Sequence, residues 1–292
     1  MHKLLEGKRA VITGASRGLG PVIAEAMWEQ GATLLLVARS TEPLNQLRLR
    51  LEENARLDQS VSIFAADLAD EASPKKIFDE ARSLWPSIDV LVNNAGIIGP
   101  MGMVADNDWP SWREALQVNL LAPAELCHLS IKWMRETITE GSIINLSGGG
   151  AASPRPNFSA YGTSKAGLVR FSETVASEVK SLGIRVNCIA PGPMNTEMLQ
   201  ETLRAGPEAV GSDEHRKIVK FVNGGAVDPR TAADLAVYLA SSNSGGITGR
   251  LVSAVWDPWK RLADYAQDIQ GSDIYTLRRI LPEERGKAWA ND

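Results

Sequence analysis

Thr13-Gly14-Ala15-Ser16-Arg17-Gly18-Leu19-Gly20 decides the fold: it follows the apolar run Arg9-Ala10-Val11-Ile12 and opens onto an amphipathic segment, residues 18–30. Glycines at 14, 18 and 20 allow a tight turn, close approach of the backbone to a phosphate group, and close packing of helix on strand. A helix starting here turns its unpaired N–H groups and the positive end of its dipole toward such a group. Glycine-rich turns are common, and the strand before this one and the helix after it make it informative.

Outward from this loop the chain alternates. Runs at 9–13, 33–37, 60–65, 90–92, 142–146, 185–189 and 251–255 are nearly continuously apolar, the pattern of parallel strands covered on both faces. Segments 18–30, 42–54, 111–137, 159–182 and 230–240 have the length and pattern of crossover helices. These predict an α/β fold: a single-domain, Rossmann-type, doubly wound parallel sheet of about seven strands over residues 1–255, with helices on both faces. Residues 191–229, rich in proline and glycine, read as loop with short helices. Residues 256–292 form a C-terminal extension, packed on the domain or on a neighbouring subunit.

The 292 residues, 44% hydrophobic and 23% charged, supply enough apolar material for a large core. The formal charge of −4 comes with scattered Lys and Arg, which speaks against nucleic acid as a partner. The apolar runs are too short to cross a bilayer, so no membrane is expected. Cys127 and Cys188 have no His or Cys neighbour at metal-ligand spacing. A disulfide framework and a metal are therefore not expected, and a reducing cytoplasm is.

The spacing of the first loop resembles the TGxxxGxG of the short-chain dehydrogenase/reductase family, in its NADP(H)-preferring branch. Further family motifs follow in order: Asn93-Asn94-Ala95-Gly96, Asn119 within a helix, Tyr161-Gly162-Thr163-Ser164-Lys165, and Pro191-Gly192 with Thr196 behind it. The resemblance spans about residues 7–255 and implies an NAD(P)(H)-dependent oxidoreductase acting on CH–OH or C=O groups. It implies cofactor contacts from Gly14, Ser16, Arg17, Gly18, Leu19 and Gly20, from Asp67-Leu68 at the adenine ring, and from Asn93, Ala95 and Gly96 below the cofactor. Tyr161, Lys165, Pro191, Gly192 and Thr196 complete that set. It also implies a homodimer or homotetramer built through the long helices.

The end of the second strand reads Leu36-Val37-Ala38-Arg39-Ser40. Where NAD enzymes of this fold place an acid against the adenosine ribose, this chain has Ala38, followed by Arg39 and Ser40. Two guanidiniums, Arg17 and Arg39, and no carboxylate favour NADP(H) over NAD(H), because a 2′-phosphate needs charge-assisted hydrogen bonds.

Hydride transfer at a carbonyl carbon needs a proton moved on the adjoining oxygen. Tyr161 is suited to this if its pKa is lowered toward neutrality. Lys165, four residues on along a helix, projects from the same face. By resemblance it stabilises the phenolate and holds the nicotinamide ribose, while Asn119 kinks its helix and holds a relay water. The family's catalytic serine lies thirteen residues before the tyrosine, and here that position is Gly148, one after Ser147. Either Ser147 turns its hydroxyl into the site, or a backbone N–H of Gly148-Gly149-Gly150 or the substrate itself fills the role.

Residues 197–229, which by resemblance take the place of the family's mobile substrate-covering segment, mix charge with few aromatics, which points to a small polar, sugar-like substrate. His215, within that segment, reads as a surface residue. Arg155 and Asn157, ahead of Tyr161, are candidates for contacts to the substrate. Trp256 and Trp259 form either a stacking wall over the substrate or a clasp at a subunit interface. A cofactor-binding protein without turnover and a redox-neutral epimerase that retains its cofactor are the other functions this set of residues allows.

Overall fold

A computed structural model of the chain describes residues 3–55 and 58–287. Seven strands form one parallel sheet in the order β3-β2-β1-β4-β5-β6-β7. They are β1 (Arg9–Thr13), β2 (Thr33–Ala38), β3 (Val61–Ala65), β4 (Val90–Asn93), β5 (Ser142–Leu146), β6 (Arg185–Ala190) and β7 (Leu251–Ser253). The last strand is shorter than its apolar run, and Ser253 N–H on its outer edge donates to Asp257 Oδ2 at 2.6 Å.

The continuous apolar character of the strands has a direct cause: alternate residues enter different cores. Ala10, Ile12, Leu34, Leu36, Val90 and Val92 pack on one face, against α1 (Leu19–Glu29), α2 (Thr41–Glu52) and α9 (Pro229–Ala240). Val11, Leu35, Val37, Leu91 and Ile143 pack on the other, against α3 (Ser73–Leu84), α5 (Ala122–Glu136) and α6 (Ser159–Val179). With both faces covered, no strand position needs a polar residue. Asp228 caps α9 by accepting from Arg230 N–H at 2.8 Å, and Pro229 is set for the first helical turn.

The segment 111–137, which periodicity reads as one helix, is interrupted. α4 (Trp109–Leu116) passes through a π-turn, Gln117–Leu121, into α5. The turn places Asn119 in the interior with no exposed surface, an arrangement typical of π-bulges at functional sites.

Within residues 191–229 lie short helical pieces joined by loop. α7 (Glu197–Val210) bends at Gly206, whose φ is +77°, and Pro207 follows. Gly211 then leads into α8 (Ser212–Lys220). Gly206 leaves the helical region there, and Pro207 opens the turns that follow, where its missing N–H is no loss.

The extension packs on the domain. Trp259 is buried, donates from Nε1 to Ala254 O at 3.1 Å, and lies 5.7 Å from the ring of Tyr238 on α9. It therefore belongs to the core and is no wall for a substrate. Leu251 N–H of β7 donates to Tyr275 O at 2.8 Å, and Arg250 Nη1 donates to the carbonyls of Ser272 and Ile274. Among the described residues no helix is long and apolar enough to cross a membrane. Residues 288–292 of the extension lie outside the described residues.

Candidate active site

Strand order reverses between β1 and β4, and the crevice at the carboxyl ends of these strands is where open α/β sheets bind ligands. A cleft occupies it. Gly14, Ser16, Arg17, Gly18 and Leu19 line one side, with Arg39, Ser40, Asp67 and Leu68 at one end. Ala95, Gly96, Ser147, Tyr161, Lys165, Pro191 and Thr196 line the rest.

The glycines of the first loop do different jobs. A Cβ on Gly14 would lie 2.7 Å from Ala95 Cα, and one on Gly20 would lie 2.1 Å from Gly14 O, so these two are close-packing positions. A Cβ on Gly18, whose φ is +65°, would project toward Thr196 and meet nothing nearer than its Cγ2 at 3.6 Å. The loop is thus packed tightly below and bare above, as a phosphate cradle requires.

Asn94 and Thr13 fix that loop. The Asn94 carboxamide donates to Thr13 O at 3.0 Å and Gly14 O at 3.1 Å, and Thr13 Oγ1 accepts from the N–H groups of Asn94 and Ala95. Neither side chain was singled out as a site residue, although both lie inside the quoted motifs. Three of the expected contact residues are not among those lining the cleft. Gly20 packs on Gly14, and a Cβ on Gly192 would meet Val255 Cγ2 at 2.6 Å. Asn93 is buried and donates to Asn145 Oδ1 at 2.8 Å, which ties β4 to β5 within the sheet.

At the end of β2 the cleft is lined by Ala38, Arg39 and Ser40. No carboxylate stands at the position of Ala38. Arg39 is exposed and forms no ion pair among the described residues.

The expected catalytic residues converge. Asn119 accepts from Ile97 N–H at 2.9 Å, donates to Ile97 O at 2.8 Å and donates to Ser164 Oγ at 3.2 Å. It thereby ties the loop after β4 to α6. A Cβ built on Gly96 would lie 3.2 Å from Asn119 Oδ1 and 3.5 Å from Lys165 Nζ. Lys165 is buried and donates to Leu146 O at 2.8 Å. Burial pushes its ammonium down to about 8. Ser147 is 4% exposed, its N–H donates to Ile189 O at 2.8 Å, and its Oγ has no partner among the described residues. Ser147 lines the cleft, so this unpaired hydroxyl is open to a group bound there.

Gly148 lies directly against the phenol. A Cβ there would be 2.2 Å from Tyr161 Oη, so this placement of the tyrosine requires glycine. Lys165 Nζ is 5.8 Å from the Tyr161 ring. Burial pushes the Tyr161 phenol above its ordinary value, and the charge of Arg155 opposes that rise. Arg155 thus stands as a second cation near the phenol: its Cζ lies 6.0 Å from the Tyr161 ring, about as far as Lys165 Nζ.

Of the remaining candidates, Arg155 pairs with Glu214 of α8, Nη2 to Oε1 at 2.7 Å. Asn157 sits in the left-handed region at φ +68°, and its carbonyl accepts from Gly102 N–H at 2.9 Å. Trp256 is 73% exposed. His215 is half-buried on α8.

The chain belongs to the short chain dehydrogenase family, whose pattern matches residues 8–206. It is 33% identical over 252 residues to 3beta-hydroxysteroid dehydrogenase 1 of Eggerthella lenta, covering 85% of this chain and 92% of that one. It is likewise 33% identical over 252 residues to the 3-oxoacyl-[acyl-carrier-protein] reductase FabG of Vibrio harveyi, covering 84% and 94%. A solved structure of a candidate NAD(P)-dependent gluconate 5-dehydrogenase from Beutenbergia cavernae, with NADP bound at low occupancy, superposes with a TM-score of 0.75. It shares 29% identity, over 86% of this chain and 96% of that one. The chain is an NAD(P)-dependent oxidoreductase of this family.

Proposed function

We propose that the protein is an NADP(H)-dependent oxidoreductase that interconverts a carbonyl and a secondary alcohol, with Tyr161 as acid and base. The observation that carries this reading is one cleft, lined by the bare glycine loop at one end and by Ser147, Tyr161 and Lys165 at the other. When bound, the nicotinamide supplies or accepts the hydride. The chain's own groups handle the proton: the Tyr161 hydroxyl gives it to the carbonyl oxygen, or takes it from the alcohol. Ser147 Oγ is the side-chain donor for the same oxygen. Lys165, held by Leu146 O and supported across Gly96 by Asn119, holds the ribose.

Arg39 and Arg17 support NADP(H), since a phosphate beside an unpaired guanidinium gains charge-assisted hydrogen bonds that a ribose hydroxyl does not. The small polar, sugar-like substrate rests on the charges of residues 197–217. On the side toward Tyr161, however, this segment packs Met198, Leu199, Leu203, Val210 and Ile218, together with Ile98 and Phe158. That inner face supports a substrate whose body beyond the reacting carbon is apolar. Buried, free Cys127 and Cys188 fit a reducing cytoplasm, and the long helices α5 and α6 are our choice for the surface of a homodimer or homotetramer.

The test is a titration with NADPH and NADH by nucleotide fluorescence, followed by assay on apolar and sugar-like ketones. Binding of NADPH and turnover that falls by at least about a hundredfold in Tyr161→Phe are expected. Unchanged turnover in that variant would sink the assignment. NADPH binding without turnover of any ketone would leave only a nucleotide-binding role.

A further inference from the structure

Gly148, Gly149 and Gly150 follow Ser147, and the bare backbone is needed at 148 and 150, while a side chain at 149 would meet Arg155 at ordinary contact distance. At 148 a Cβ would strike Tyr161 Oη; at 149 it would touch Arg155 Cδ and Nη1 at 3.8 Å; at 150 it would press on Arg155 Cβ at 3.3 Å. Gly150 also has φ at +97°, which a side chain would strain. Tyr161 and Arg155 therefore lie side by side on a glycine floor.

The Arg155 guanidinium is fixed from several directions. Its Cζ lies 3.8 Å above the ring of Phe158 and 6.0 Å from the ring of Tyr161. Its Nε donates to Glu214 Oε1 at 2.8 Å and its Nη2 approaches the same oxygen at 2.7 Å. The two side chains are only 19% and 24% exposed, so the pair is poorly screened by solvent. Glu214 stands on α8, whose Ile218 packs in one apolar cluster with Tyr161 and Phe158, while Arg155 stands on the floor. The ion pair therefore joins the floor to α8.

Charged groups facing Tyr161 from its surroundings are few. Lys165 comes from its own helix, Arg155 from the loop before it, and Glu214 from α8, with Lys217 Nζ behind it at 3.9 Å. The loop after β4 contributes Ile98 and Met101, and α7 contributes Met198, Leu199 and Leu203.

We propose that Arg155 is a positioning residue for Tyr161, placing a cation beside the phenol on the glycine floor and linking that charge, through Glu214, to the seating of α8 over the substrate. This rests on the reading of Tyr161 as the acid and base. A cation beside a phenol favours the phenolate, and a carboxylate beside that cation cancels part of its effect. Seating or lifting α8 then changes the readiness of Tyr161 to exchange its proton. The side chain at 148 takes no part, because none fits.

The experiment measures kcat/KM for alcohol oxidation with NADP+ against pH in the native protein, Arg155→Ala, Arg155→Lys and Glu214→Gln. In this direction Tyr161 acts as phenolate, so the rate rises with pH through its titration. Arg155→Ala should move that limb to higher pH and Glu214→Gln to lower pH, while Arg155→Lys leaves it near the native position. Limbs that coincide, or that move the same way in the Ala and Gln variants, would overturn the proposal, since a structural role alone gives no opposed shifts. Should Arg155→Ala not fold, the contrast between Glu214→Gln and Arg155→Lys decides. If the native protein binds NADPH but oxidises no alcohol, the functional reading fails by itself. Phenolate absorbance, taken as the difference between each protein and its Tyr161→Phe counterpart, then reads the same opposed shifts.

Discussion

A methyl group placed on Gly148 would sit 2.2 Å from the phenol oxygen of Tyr161, well inside contact distance. Restoring the serine found at this position in the family should therefore harm this protein. Gly148→Ser must displace the phenol or the loop, and turnover should fall about a hundredfold. NADPH affinity, set by the loop at 14–18 and by Arg39, should stay within about twofold. Equal or higher turnover in Gly148→Ser would show that Tyr161 is seated differently in the working enzyme.

Lys165 is buried for function at a cost to stability. Its ammonium titrates at about 8 in the folded chain against an ordinary 10.5. Below the lower value the folded state carries a desolvated charge. As pH rises from about 8 to the ordinary value the unfolded chain holds more protons than the folded one, so stability rises and the penalty disappears. Lys165→Met should thus be more stable than the native protein at pH 7 by roughly 1–2 kcal/mol, after losing the bond to Leu146 O, and inactive. Melting temperatures at pH 7 and pH 10 check it. A variant that melts below the native protein at pH 7 contradicts the burial penalty.

Replacement at the end of β2 tests the choice of nucleotide. Ala38→Asp combined with Arg39→Leu introduces a carboxylate and removes the guanidinium, and should shift the ratio of NADPH to NADH affinity by about a hundredfold toward NADH. Fluorescence titration of both nucleotides measures it. A ratio that does not move places the 2′-phosphate away from Arg39.

Trp259 is a core residue, which separates it from the substrate. Trp259→Ala should destabilise the fold by about 3–5 kcal/mol, as large-to-small changes in packed cores do. KM for any substrate, measured at a temperature where the variant is folded, should be unchanged. Denaturant unfolding and steady-state kinetics together decide, and a raised KM with native stability would return Trp259 to the site.

Much of this was legible in the sequence, for identifiable reasons. The glycine loop, Tyr161 and Lys165 are set by local backbone geometry and by helical spacing, which a sequence displays directly. The strands are legible because burial on both faces leaves them continuously apolar. Periodicity ran through 111–137 because the apolar pattern continues across the π-turn at Gln117–Leu121. The pair Arg155–Glu214 spans 59 residues, and no local pattern announces a contact at that range. Charges at 197–217 look alike on either face of a helix until its register is known, and that is why the apolar inner face built by Met198, Leu199 and Leu203 was hidden. Trp259 was misread because the polar residues around it in sequence say nothing of the core formed by Tyr238 and Ala254.

The clasp of the extension on β7 has a consequence for assembly. The outward-facing amides of that strand, at Leu251 and Ser253, are spent on Tyr275 O and on Asp257 Oδ2. A foreign strand pairing at this margin would find both outward donors already taken and would have to displace the extension to reach them. A continuous sheet running from one copy into the next would therefore cost the extension its own bonds to Leu251 and Ser253.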